Sequence, residues 1–123
     1  AGFVWFQGFN DQFSDAFRDN YKGNMIHFIK DVRKEYKTPK MPFVIGVMGT
    51  SITKEKVAEN KVSVAQREAA KAPEFKGNVA SVYTHPLSKG GSSGGHYGGN
   101  AETYMNVGEA MGKAMTELLG KSK

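Results

Sequence analysis

The chain opens Ala1-Gly2-Phe3-Val4-Trp5-Phe6-Gln7-Gly8-Phe9-Asn10-Asp11, and this segment constrains the rest most strongly. Phe3 to Phe6 is an unbroken run of aromatic and β-branched residues. Such a run suits a strand buried on both faces, as strands of parallel sheets usually are. It stops at Gln7-Gly8, and an amide and a carboxylate follow at Asn10 and Asp11. Polar groups then sit at the carboxyl end of the strand, the edge where open α/β sheets bind ligands. A core strand closed by an Asx turn uses the same residues, so both readings stand at this point.

Ser14 to Tyr36 reads as an amphipathic helix. Phe17, Tyr21, Met25, Phe28, Ile29, Val32 and Tyr36 recur at steps of three and four and predict one buried stripe. Arg18, Lys22, Lys30, Asp31, Arg33 and Lys34 fall mostly off it. Thr38-Pro39 ends the helix, because a residue before Pro avoids the α region. Phe43 to Met48 is the second buried strand, closed by Gly49-Thr50-Ser51. Lys54 to Ala72 predicts a second helix, with Val57, Val62, Ala65, Ala69 and Ala72 inward, and Asn60 blurs its start. Asn78 to Tyr83 is a third strand. Thr84 to Asn100 is a glycine-rich loop, and Asn100 is a good N-cap for a last helix over Ala101 to Leu119. Tyr104, Gly108, Met111, Gly112, Met115 and Leu118 share a face of it. Gly108 and Gly112 are expected to let that helix approach the sheet closely.

The order β-α-β-α-β-loop-α implies an α/β fold with a parallel sheet and right-handed crossovers. A length of 123 residues suits one domain. With 39% apolar and 11% aromatic residues the chain is globular. The net charge of +5 is spread among Asp and Glu along the helices. It forms no cluster of the kind a nucleic-acid surface needs, so no nucleic-acid partner is expected. The absence of cysteine excludes disulfides and thiolate chemistry. No apolar stretch approaches the roughly 18 residues of a membrane helix. The chain starts abruptly at a strand, without a signal peptide or initiator Met, as a processed or excised piece would.

Three histidines without fixed spacing make no metal motif, and no metal or cofactor is expected. His96, ahead of the last helix, can turn toward the strand ends where Asn10 lies; a surface position in a flexible linker is the other reading. His85, before Pro86, reads as a structural loop residue, and His27 as a boundary or surface side chain. The glycine loop lacks the Gly-Lys-Ser/Thr ending of a phosphate-binding loop, so it reads as a lid or linker.

Gly2 to Asp11 resembles the third conserved block of SGNH hydrolases, in the form found in sialate O-acetylesterase-like carbohydrate esterases. That block reads Gly-x-Asn-Asp generally and Trp-x-Gln-Gly near its start in this branch. The stretch His96 to Tyr104, with Gly108 to Gly112 behind it, resembles the final block and its helix, so the likeness spans nearly the whole chain. It implies a three-layer, flavodoxin-like SGNH sheet, here a partial domain of about three strands. It also implies a serine-esterase reaction on acetylated carbohydrate or another small ester, and it allows a secreted or periplasmic location. Gly8 and Asn10 match the oxyanion-hole positions and His96 the general base. Gln7 and Asp11 would shape the turn and meet substrate.

Two departures stand out. The family nucleophile lies in a Gly-x-Ser block ahead of everything here, and none stands there; Ser51 follows Gly49-Thr50 but comes after the second strand, the wrong one in the family order. Ser51, Ser92 and Ser93 are the substitutes to consider. The position three before the base, often Asp, is Ser93, which leaves Glu102 as a remote acidic partner. The resemblance also places a further strand beside Phe3 to Phe6. Without it a hydrophobic edge is bare, and a second copy of the chain or a separate N-terminal chain is expected to cover it. The alternatives are a non-catalytic, self-associating module of the same fold, and a polyanion-binding module resting on the charge.

Overall fold

A computed structural model describes residues 1–50, 57–89 and 95–121. Its element order is β1 (Phe3–Trp5), α1 (Asp15–Glu35), β2 (Phe43–Val47), α2 (Lys61–Ala70), β3 (Val79–Tyr83) and α3 (Ala101–Lys121), with short 3-10 turns between. The sheet is parallel in the order β1-β2-β3. Phe3 pairs with Phe43 and Trp5 with Ile45, while Phe43 pairs with Val79 and Val47 with Tyr83.

The side-chain alternation of β2 divides the core into two layers. Phe43 and Ile45 face α1 and α2, where Tyr21, Met25, Ile29, Val62, Ala69 and Phe75 bury with them. Val44 faces α3 and packs on Val107, Met111 and Leu118. Helices therefore cover both faces, the three-layer α/β arrangement the element order implies. Every residue of β2 is buried, as its unbroken apolar sequence requires.

β1 differs from the expectation of a strand buried on both faces. Phe3 and Trp5 are half-buried against Phe28, but Val4 is 50% and Phe6 40% exposed. The cause is position: β1 is an edge strand, and α3 packs over β2 and β3, leaving the α3 side of β1 open.

The stripe of α1 is also narrower than its spacing suggests. Tyr21, Met25, Ile29 and Val32 are buried, whereas Phe17 and Tyr36, at the two ends, are exposed beyond the sheet. Arg33, expected off the stripe, is buried instead. Its Nη2 donates to the Met41 carbonyl at 2.8 Å and to Asn78 Oδ1 at 2.6 Å, and its guanidinium lies 5.2 Å from the Phe75 ring centroid. Burial lowers its pKa. A delocalised cation tolerates this site because carbonyl oxygens take its protons. It ties the end of α1 to the starts of β2 and β3.

α2 begins later than predicted, because Asn60 is its N-cap and accepts from the Val62 amide at 3.0 Å. Residues 54–56 of the predicted helix lie outside the described residues. In α3, Asn100 caps as expected, accepting from the Thr103 amide at 2.9 Å. The glycine expectation fails there: Gly108 and Gly112 are exposed, and a Cβ on either would meet nothing within 4 Å. Met111 and Leu118 of the predicted face are buried and Met115 packs against them, but Thr103 and Val107 complete the inner face where the glycines were expected, and Tyr104 is 42% exposed.

Candidate active site

The carboxyl ends of β1 and β2 meet the start of α3 around a cleft of about 460 Å³. Gly8, Asn10 and His96 all line it, with Gln7 and Thr50. Phe6, Phe9, Met48, Tyr97 and Tyr104 supply its apolar wall. An apolar hollow with a few convergent polar groups is the usual form of a small-molecule site.

The Gln7-Gly8 turn is built by polar side chains buried beneath it. Gln66 of α2 is fully buried. Its Oε1 accepts from the Met48 amide at 2.7 Å, and its Nε2 donates to the Gln7 carbonyl at 2.7 Å and to Tyr21 Oη at 3.1 Å. The Tyr21 hydroxyl donates to the same Gln7 carbonyl at 2.7 Å. Ser63 completes the seam by donating to the Met48 carbonyl at 3.1 Å. The ends of β1 and β2 are thus fixed to each other through α1 and α2, and the Gln66, Tyr21 and Ser63 donors each have an acceptor. Burial pushes the Tyr21 phenol above its ordinary pKa.

A side chain in place of Gly8 would strain this turn. The Gly8 φ of +151° is rarely adopted by L side chains, and a Cβ would lie 2.9 Å from both Gln66 Nε2 and Val62 Cγ1. Asn10 follows at the start of a 3-10 turn, Asn10–Phe13, with its side chain exposed to the cleft. Gln7 Nε2 donates to Asp11 Oδ2 at 2.6 Å. Asp11 itself borders a smaller groove of about 120 Å³, which shares Gln7 with the main cleft.

His96 reaches the cleft from an unusual segment. His96, Tyr97, Gly98 and Gly99 have φ of 57°, 51°, 63° and 69°, one turn of left-handed backbone. Each such residue with a side chain costs about 1–2 kcal/mol, so the surroundings must enforce the turn. Tyr97 supplies the anchor: it is 6% exposed, its hydroxyl accepts from the Gly49 amide at 3.0 Å, and it lies 2.5 Å from Thr84 Oγ1. Its ring packs on Phe6 and Tyr104, at centroid distances of 6.1 and 5.8 Å. Burial raises its pKa.

Among the described residues, none hydrogen-bonds to the His96 imidazole. Glu102 instead faces Lys89 in an exposed ion pair of 3.7 Å. His85 is structural as read: its Nδ1 carries the proton and donates to the Gly49 carbonyl at 2.9 Å, since a carbonyl can only accept. His27 is exposed. Ser51, Ser92 and Ser93 lie outside the described residues. No group of three or more His, Asp or Glu side chains suited to a metal occurs among the described residues, and none of their helices is long and apolar enough to cross a membrane.

A second groove, about 470 Å³, borders Lys30, Arg33, Lys34 and Lys37 at the amino-terminal edge of the sheet. Its buried Arg33 is committed to carbonyls, and Lys30 to Glu74 at 2.9 Å. Its lining holds no histidine or amide side chain, unlike that of the first cleft.

Tyr97, Gln66, Tyr21 and Thr84 escaped the sequence reading. Tyr21 fits a helix stripe and Gln66 an ordinary helix surface, and nothing in their spacing reveals that they meet. Tyr97, adjacent to His96, is the one a sequence signal could have flagged: an aromatic residue inside a glycine run.

With this geometry in place, comparison with known proteins gives a family. Residues 1–117 match the family described as carbohydrate esterase, sialic acid-specific acetylesterase. The chain belongs to that family. Neither the curated proteins nor the solved structures returned a match.

Proposed function

We propose that the cleft is the oxyanion-and-base half of a serine esterase acting on acetyl esters of sugars. The observation that supports this is the convergence of Gly8, Asn10 and His96 on one cleft. The Gly8 amide and the Asn10 side-chain amide donate to the carbonyl oxygen as it becomes an oxyanion. His96 takes the proton of a serine hydroxyl as the oxygen attacks the acetyl carbon, then returns it to the departing sugar oxygen. Water, deprotonated by His96, hydrolyses the acetyl-serine and regenerates the site. Gln7, braced by Asp11, faces the substrate. No Gly-x-Ser block precedes β1 in this sequence, and Gly49-Thr50-Ser51 comes only after β2, so the nucleophile is assigned to a segment outside this sequence, seated along the open edge of β1. A separate N-terminal segment or chain satisfies both needs; a second copy covers the edge alone.

The missing block also favours a second reading, a non-catalytic α/β module that keeps the fold and binds without turnover. Hydrolysis of p-nitrophenyl acetate and labelling by a fluorophosphonate, measured with an N-terminal segment carrying the nucleophile block supplied to the chain, separate the two. The esterase reading predicts hydrolysis that falls about 10²–10³-fold in Asn10→Ala, the usual loss for one oxyanion donor, and at least as far in His96→Ala. Hydrolysis indifferent to both substitutions removes these residues from the chemistry. Absence of both turnover and labelling, with sugar ester still bound, selects the module.

A further inference from the structure

We propose that Tyr97 is the positioning residue for His96, locking the left-handed turn to the ends of β2 and β3 through a relay of hydrogen bonds with one allowed direction. The proposal rests on the reading of His96 as the base and adds what holds it in place. The direction follows from counting protons. Thr84 has one hydroxyl proton, and it is donated to the Val47 carbonyl at 2.8 Å. Thr84 Oγ1 is therefore the acceptor in its 2.5 Å contact with Tyr97, whose hydroxyl is the donor. The Tyr97 oxygen in turn accepts from the Gly49 amide at 3.0 Å. The chain of donation is Gly49 N–H to Tyr97, Tyr97 O–H to Thr84, Thr84 O–H to Val47. Both hydrogen-bonding roles of the phenol are used, so phenylalanine cannot replace either.

The site is shaped for this contact. A Cβ on Gly49 would stand 2.7 Å from the His85 amide nitrogen and 2.8 Å from Tyr97 Oη, so only glycine leaves room for the hydroxyl. The neighbouring Gly49 carbonyl is held from the other side by His85 Nδ1. Without the anchor, two residues with side chains would have to keep positive φ unaided, at 57° and 51°. Relaxing them re-aims His96, which immediately precedes Tyr97 and is itself exposed.

The test uses the isotope-labelled full chain and needs no turnover. Amide exchange at Gly49 and residual dipolar couplings at His96–Gly99 are compared in wild type, Tyr97→Phe and Thr84→Val. The expected result is exchange at Gly49 faster by on the order of tenfold or more in Tyr97→Phe. The couplings of the turn collapse in both variants, while those of β2 and α3 persist. A merely structural role would lower the urea midpoint and leave the His96 couplings unchanged. Wild-type exchange and couplings in Tyr97→Phe overturn the proposal. If that variant does not fold, Thr84→Val, which keeps the side-chain volume and removes the acceptor, decides alone by the same couplings. Ester hydrolysis unchanged in His96→Ala would sink the base assignment separately, with the couplings still deciding what places His96.

Discussion

Glycines in this chain play opposite parts, and only their surroundings separate them. Gly8 is needed: a side chain would strain its backbone and press on Gln66 and Val62. Gly8→Ala is expected to destabilise the fold by about 1–3 kcal/mol in urea unfolding. Gly23 lies in α1, exposed, and a Cβ added there would meet nothing within 4 Å. Gly23→Ala is expected to stabilise by about 0.5–1 kcal/mol, because alanine loses less entropy in a helix. A loss at position 23, or none at position 8, would contradict this assignment. Tyr21 and Tyr97 give the alkaline limb. Both folded-state pKa values lie above the ordinary 10.0, raised by burial, so the neutral phenols favour the folded state. Their contribution is full below about pH 10 and is lost as pH rises through the higher folded values. Urea midpoints should hold level up to about pH 10 and then fall, more gently in Tyr97→Phe than in wild type.

At the scale of elements, the sequence showed the strands and helices but not the bonds that join them. The order, the parallel pairing and the all-buried β2 were legible, because an apolar run and a helical period are local signals. Asn100 was legible as a cap for the same reason. The burial of Arg33, the exposure of Phe17 and Tyr36, and the outward glycines of α3 were not. They depend on where each helix overhangs the sheet, and that is settled by packing. The β1 tip with Gly8 and Asn10 could be read from its residue types; the Gln66 and Tyr21 brace beneath it could not, since its partners lie 59 and 14 positions from Gln7. Gln66→Leu should leave the Met48 amide without its acceptor and cost about 1–3 kcal/mol in urea unfolding. The Met48 amide should lose exchange protection with it. Protection unchanged at that amide would contradict the role given to Gln66.

In the molecule as a whole, the sheet has two edge strands among the described residues, β1 and β3, and β1 is the one that presents a half-exposed valine. β1 is an edge, and Val4 at 50% exposure shows its apolar character to solvent. Unpaired edges of this kind associate unless covered. Light scattering behind size exclusion should find the chain self-associated at micromolar concentration, or bound to a separately supplied N-terminal segment. Val4→Lys should shift it toward monomer. A wild-type chain that stays monomeric alone and with that segment would refute the coverage. The cleft bordering this edge carries the central claim. It is tested most directly by adding an O-acetylated sialic acid glycoside to labelled chain and following amide shifts and free acetate in one sample. The account predicts shifts confined to residues around Gly8, Asn10, Thr50 and His96, with any acetate release lowered at least about tenfold by His96→Ala. Shifts elsewhere, no shifts at all, or acetate release indifferent to His96→Ala would contradict it.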